Sequence, residues 1–218
     1  MSQLVFKFPF KTTYYEKDFF VSASNFEAYK LIESWPKWSS KQISIFGPSG
    51  CGKTHLVNIL SNKLKLLSIN AKKLDQTINN LVEKFECIVI ENYDENINEN
   101  FLYSFINQVK QYDKIIIINS SKSLKNFDID LIDLKSRLSS FLEVKIDLPT
   151  DDLIRVIILK IFSDRQIDLG NRNLEYIINN IERSYDKILK FTKDIDDISL
   201  STGKSININL IKKVLTNE

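Results

Sequence analysis

The sequence predicts an α/β fold, a parallel-sheet core with helices on both faces, followed by a small all-helical domain. Three observations predict it. Short apolar runs without polar alternation recur between helix-like segments, as expected of strands buried on both faces. Gly47-Pro48-Ser49-Gly50-Cys51-Gly52-Lys53-Thr54 fits G-x-x-x-x-G-K-[ST] and lies between one such run and a helix-like segment. Beyond about residue 148 the apolar runs give way to helical patterning, broken at Gly170 and Gly203.

Ile43 to Phe46 is the first strand; it ends at the glycine-rich loop, and a helix runs from His55 onward. Leu66 to Ile69 is the second strand, Lys72 to Phe85 an amphipathic stretch between helices and strands, and Cys87-Ile88-Val89-Ile90 the third strand. A helix over Glu99 to Tyr112 leads to the strand Ile115 to Ile118. A polar segment ending in Asp133-Leu134-Lys135-Ser136-Arg137-Leu138 precedes the last strand candidate, Leu142 to Ile146. Pro149-Thr150-Asp151-Asp152 reads as a helix start, with proline and acids in the first turn. The expected organisation is an N-terminal tail over residues 1–12, an α/β core over 13–148 and a helical lid over 149–218, with no internal repeat.

With 218 residues and 43% hydrophobic content the chain can bury a sizeable core. Lys+Arg 30 against Asp+Glu 28 leaves +2, so no global field argues for nucleic acid. No apolar run approaches a membrane span, and Lys7 interrupts the N-terminal stretch where a signal peptide needs an unbroken apolar core; the cytoplasm is the expected location. Cys51 and Cys87 lie far apart without a C-x-x-C, and read as reduced small hydrophobes rather than a metal or disulfide framework. Cys51 lies in the loop near a helix N-terminus, a place that lowers a thiol's pKa.

The loop carries its own chemistry. Gly47, Gly50 and Gly52 let the backbone fold into a cup whose N–H groups face phosphate oxygens, with Pro48, Ser49 and Cys51 in the same turn. Lys53 adds a point charge near the outer phosphates, and Thr54 offers a hydroxyl to a magnesium ion. The expected ligand is ATP or ADP with Mg²⁺. His55, the one histidine, follows on the helix and reads as a packing or surface residue beside the nucleotide. Such a site needs an acid at the end of a later buried strand, and Glu91 stands after Ile88-Val89-Ile90, either for the metal or as a solvated strand end. Asn92 follows where a second acid would orient the attacking water; an amide cannot take that proton, so weak hydrolysis or none is expected. Asn119 and Ser121, after Ile115 to Ile118, are either γ-phosphate sensors or an ordinary strand-to-loop turn.

A phosphate-loop α/β core with a helical lid is the AAA+ layout, and from about Gln3 to the end the chain resembles the DnaA-related branch, specifically the Hda type that inactivates DnaA. Asp18 to Asn25, with Ser34-Trp35-Pro36-Lys37-Trp38, is similar to the segment that packs near the adenine, which implies Phe20 and Val21 as base contacts. Gly52-Lys53-Thr54-His55-Leu56, Ile90-Glu91-Asn92 and Asp133 to Leu138 resemble the family's corresponding motifs. The resemblance implies that Arg137 is an arginine finger acting on ATP held by a neighbouring DnaA, and that Gln3, Leu4, Phe6 and Phe8 dock on the polymerase sliding clamp. An edge strand would show the same alternation. Self-association through the AAA+ interface is a further implication. Where the family carries a lid sensor arginine this chain has Asp186, with Lys187 beside it and Arg183 earlier, so lid sensing does not carry over. DnaA continues into a helix-turn-helix domain whereas this sequence stops at Glu218, so direct sequence-specific DNA binding is not expected. The function implied is clamp-assisted stimulation of DnaA's ATP hydrolysis; an active AAA+ ATPase such as a helicase loader, or a nucleotide-stabilised clamp adaptor, are the alternatives.

Overall fold

The computed structural model describes residues 19–202 and 205–216. They divide into two compact units: Phe19 with Asn25–Asp147, and Phe20–Ser24 with the residues from Leu148 onward. The tail positions Gln3, Leu4, Phe6 and Phe8 lie outside the described residues.

The first unit is built on five parallel strands, β1 (Gln42–Phe46), β2 (Leu66–Asn70), β3 (Cys87–Tyr93), β4 (Ile115–Ser120) and β5 (Leu142–Lys145), in the order β2-β3-β4-β1-β5. The inner strands are the unbroken apolar runs. Ile43 and Ile45 of β1, Ile88, Val89 and Ile90 of β3, and Ile115 to Ile118 of β4 are all buried, because helices cover both faces. Edge strands β2 and β5 are mostly half-buried. The chain leaves β1 toward the far side of β4 and β3, and returns through β4 to β5 on its other side. Such a reversal of strand order opens a crevice at the carboxyl ends of the strands, where ligands of open α/β sheets bind.

Helices α1 (Phe26–Glu33), α2 (Lys53–Ser61), α3 (Glu99–Gln111) and α4 (Ile132–Ser139) flank the sheet. The Asn98 side chain caps α3 by accepting from the Phe101 N–H at 2.9 Å, and Leu102, Phe105, Ile106 and Val109 form its buried stripe. The segment expected only as polar before Leu142 is in fact α4, held by Leu134 and Leu138 four residues apart; two core residues are too faint a period to stand out. The stretch from Lys72 to Phe85 forms 3₁₀ turns, Ala71–Lys73 and Gln76–Lys84, instead of an α-helix. Thr77, Ile78, Asn79, Asn80 and Val82 are poor helix formers, yet Ile78 and Val82 still reach the core.

The second unit contains α5 (Asp151–Asp164), α6 (Asn171–Asn180), α7 (Tyr185–Thr202) and α8 (Ile208–Thr216). Thr150 caps α5, so Pro149 precedes the cap rather than occupying the first turn. Ile154, Ile158, Phe162, Ile177, Phe191, Ile195 and Ile211 pack into a separate core. Among the described residues no helix is long and apolar enough to cross a membrane.

Candidate functional site

The loop between β1 and α2 is built around glycines that have no alternative. A Cβ on Gly47 would lie 2.5 Å from the Ile146 carbonyl oxygen, where backbone meets backbone. Gly50 and Gly52 have φ of +74° and +97°, the left-handed region that side chains disfavour. Gly52 is the N-cap of α2, its carbonyl accepting from the Leu56 N–H at 2.9 Å, so the helix begins at Lys53. The first amides of α2 therefore follow directly from the loop and have no carbonyl partner within the helix, which is the anion-binding end. The Gly47 N–H donates to the Ser120 carbonyl at 3.2 Å, tying the loop to the end of β4.

Lys53 folds over this loop, its Nζ donating to the carbonyls of Gly47 at 2.7 Å and Pro48 at 2.8 Å and lying 3.6 Å from Cys51 Sγ. A lysine held by neutral carbonyls retains an uncompensated charge. Cys51 is buried, and burial raises its thiol above the ordinary range while the Lys53 ammonium opposes the shift. Desolvation outweighs the helix end and the nearby charge, in keeping with Cys51 as a small buried hydrophobe.

Glu91, Asn119 and Thr54 come together from β3, β4 and α2. Glu91 Oε2 accepts from Thr54 Oγ1 at 3.2 Å and from Asn119 Nδ2 at 3.0 Å. Glu91 is only 7% exposed and Asn119 fully buried, so the reading of Glu91 as a solvated strand end does not hold. Nor is Asn119 a turn residue, since β4 continues through Ser120 and Asn119 pairs in register with Ile45. Glu91 Oε1 and Asn119 Oδ1 are buried without a hydrogen-bond partner. Two unpaired acceptors beside a threonine hydroxyl suit a hydrated divalent cation, which supplies the donors they lack. No cluster of three or more His, Cys, Asp or Glu placed to hold a metal exists among the described residues. The donor set therefore fits Mg²⁺ that keeps its waters and shares phosphate oxygens, not a closed protein cage.

Asn92 sits in a bulge, where the β3–β4 register shifts between Ile90 and Tyr93; its φ is +56° and its side chain is exposed. A left-handed bulge position suits asparagine, which tolerates this φ better than most residues. The neighbouring acids are otherwise engaged: Asp94 accepts from the Asn96 N–H and Glu95 pairs with Lys122. Ser121 is exposed beyond the end of β4, apart from the buried Glu91–Asn119 contact. Arg137, half-buried on α4, donates from Nη2 to Asn107 Oδ1 on α3 at 2.9 Å and has no ion-pair partner among the described residues. Phe20 and Val21 belong to the second unit and are 47% and 41% exposed. In that same unit Arg183 is paired with Asp151 and Lys187 with Glu182, while Asp186 lies in the first turn of α7.

Phe19 is the residue that the motif did not indicate. Its ring approaches Gly52 so closely that an added Cβ would lie 3.0 Å from Cε2. It stacks on Tyr29 of α1, with centroids 5.8 Å apart, and meets His55 edge-on at 5.2 Å. His55 is thus a packing histidine at the start of α2.

Residues 43–146 match the family model described as ATPase family associated with various cellular activities (AAA). The chromosomal replication initiator protein DnaA of Borrelia garinii subsp. bavariensis is 26% identical, in an alignment covering 98% of this chain and 55% of that protein. DnaA of Buchnera aphidicola subsp. Baizongia pistaciae is 24% identical, with 100% of this chain and 58% of that protein covered. The chain thus spans little more than half the length of these relatives. Among solved structures, domain III of Thermotoga maritima DnaA superposes with a TM-score of 0.79 at 18% identity, covering 96% of this chain and 98% of that one. DnaA bound to AMPPCP and single-stranded DNA superposes with a TM-score of 0.70 at 19% identity, covering 87% and 66%. The fold is that of AAA+ domains, and the chain is similar to DnaA over nearly its whole length.

Proposed function

We propose that this chain is a DnaA-like AAA+ protein of replication initiation that binds ATP or ADP with Mg²⁺ and regulates DnaA. The observation that carries nucleotide binding is the convergence of Thr54, Glu91 and Asn119 beside a loop whose glycines and lysine are arranged for phosphate. The amides of Gly50 to Thr54 cradle phosphate oxygens, and Lys53 leaves its loop carbonyls to meet the outer phosphates. Thr54 and Glu91 hold the metal's side of the site, and Asn119 keeps the Glu91 carboxylate aimed at it. Bound magnesium supplies charge neutralisation at the phosphates. Asn92 cannot accept a proton, and Asp94 and Glu95 already have partners, so the chain's own turnover is weak. Lys53→Ala tests the nucleotide reading: calorimetry with ADP and ATP is expected to show loss of tight binding, and unchanged affinity would remove it.

The regulatory part of the proposal is that Arg137 acts in trans on ATP held by DnaA. A guanidinium oriented by a neutral amide keeps its full charge for a partner's phosphates, which supports this role. In the proposed assembly the sliding clamp receives Gln3, Leu4, Phe6 and Phe8 and brings the chain to its partner. Hydrolysis by DnaA-ATP, measured with clamp and DNA in the presence and absence of the chain, tests it. No stimulation would leave a clamp adaptor, and fast turnover by the isolated chain would instead indicate an active ATPase.

A further inference from the structure

We infer that Phe19 is a positioning residue for the phosphate loop; the inference rests on the nucleotide-binding reading of that loop. Gly52 is the junction at which the loop becomes a helix, with φ of +97° and a carbonyl that accepts the first α2 hydrogen bond. Glycine gains this conformation through the absence of a Cβ, and for the same reason it has no side chain with which to hold it. Phe19 supplies what Gly52 lacks. Its Cε2 lies 3.0 Å from the position where a Cβ would stand, so the ring rests against the glycine's Cα.

The ring is itself fixed. One face stacks on Tyr29 at an interplanar angle of 11°, and its edge meets His55 at 79°, one helical turn beyond Gly52. Tyr29 belongs to α1 and His55 to α2, so a single aromatic side chain braces the loop's last glycine against two helices. Phe19 is half-buried and lies outside the large apolar cluster beneath the sheet. The ring meets Gly52, Tyr29 and His55. Phosphate binding requires the amides around Gly52 and Lys53 to converge, and a loop already held in that geometry loses less freedom on binding. Removing the ring leaves every phosphate-contacting group in place and only loosens the junction.

The test is ADP–Mg²⁺ calorimetry on wild type, Lys53→Ala, Phe19→Ala, Phe19→Tyr and Phe105→Leu, with thermal melting of each protein without ligand. Phe19→Ala is expected to weaken ADP binding about tenfold, the scale set by ordering one or two backbone residues. Phe19→Tyr, which restores the ring, is expected to return to within about threefold of wild type. Phe105→Leu reports a loss of stability in the core of the same unit, and is expected to bind ADP as wild type does. If Phe19→Ala binds as tightly as wild type, or weakens no more than Phe105→Leu, the positioning role is refuted while the nucleotide site stands. If wild type fails to bind ADP, or Lys53→Ala binds as well, the nucleotide reading falls and this inference with it.

Discussion

Replacing Glu91 by Gln keeps the side-chain volume and turns a buried carboxylate into an amide. Oε2 accepts from Thr54 and Asn119, whereas Oε1 has no partner, and the residue is 7% exposed. A buried acceptor left unpaired costs about 1–3 kcal/mol, and more when it is charged. If the glutamine oxygen keeps the place of Oε2, Thr54 and Asn119 Nδ2 keep their acceptor, and the NH2 at the place of the unpaired Oε1 becomes a donor for Asn119 Oδ1, which also lacks one. The ligand-free Glu91→Gln protein is therefore expected to gain about 1–3 kcal/mol. For a chain of this size that is a rise in Tm of roughly 2–4 °C per kcal/mol. The same change is expected to remove the metal's contribution to binding, so that Mg²⁺ no longer tightens ATP affinity. Urea denaturation without ligand, and calorimetry with and without Mg²⁺, measure the two effects separately. A variant less stable than wild type, or one whose ATP affinity still responds to Mg²⁺ as wild type does, refutes the assignment of Glu91 to the metal side of the site.

Arg137→Ala is expected to leave nucleotide affinity unchanged and abolish stimulation of DnaA's ATP hydrolysis, a loss of about a thousandfold or more in the finger's contribution; retained stimulation in a single-turnover assay would move the role to another cation such as Lys135. Combining Gln3→Ala, Leu4→Ala and Phe6→Ala is expected to abolish clamp pull-down with no change in Tm, whereas a lower Tm with clamp binding intact would make these residues part of the core. Burial raises the Cys51 and Cys87 thiols above their ordinary 9.0 and Tyr93 from 10.0 to about 12, so these groups keep protons in the folded chain that the unfolded chain releases. Their contribution to stability is complete below about pH 9 and declines as pH rises. Melting curves from pH 8 to 10.5 are expected to shift downward, less steeply in Cys87→Ala.

What was legible in the sequence was legible because it is local. Short unbroken runs rich in Ile and Val suit strands covered on both sides, and β1, β3 and β4 follow them closely. The G-x-x-x-x-G-K-[ST] spacing encodes a backbone shape, and the positive φ values of Gly50 and Gly52 realise it. Elements whose signal is spread thinly were not legible. Helix α1 buries only Ala28 and Ile32, and α4 only Leu134 and Leu138, so neither carries a period strong enough to stand apart from loop.

By itself, then, the sequence determined the strand runs, the phosphate loop and the change to helices after Asp147, since each follows from the period or conformational freedom of residues adjacent in the chain. Tertiary structure alone decided which polar residues meet. The Asn119 amide is buried against Glu91, 28 residues away, because β4 runs one strand position past Asn119 beside β1, whereas Ser121 lies exposed beyond the end of that strand. Gly47 is obligatory because the chain after β5, a hundred residues on, passes within 2.5 Å of where its Cβ would be. Phe19 joins the loop because α1 carries Tyr29 to its other face. Such contacts depend on how strands and helices pack across long separations, and no local preference of these residues encodes them.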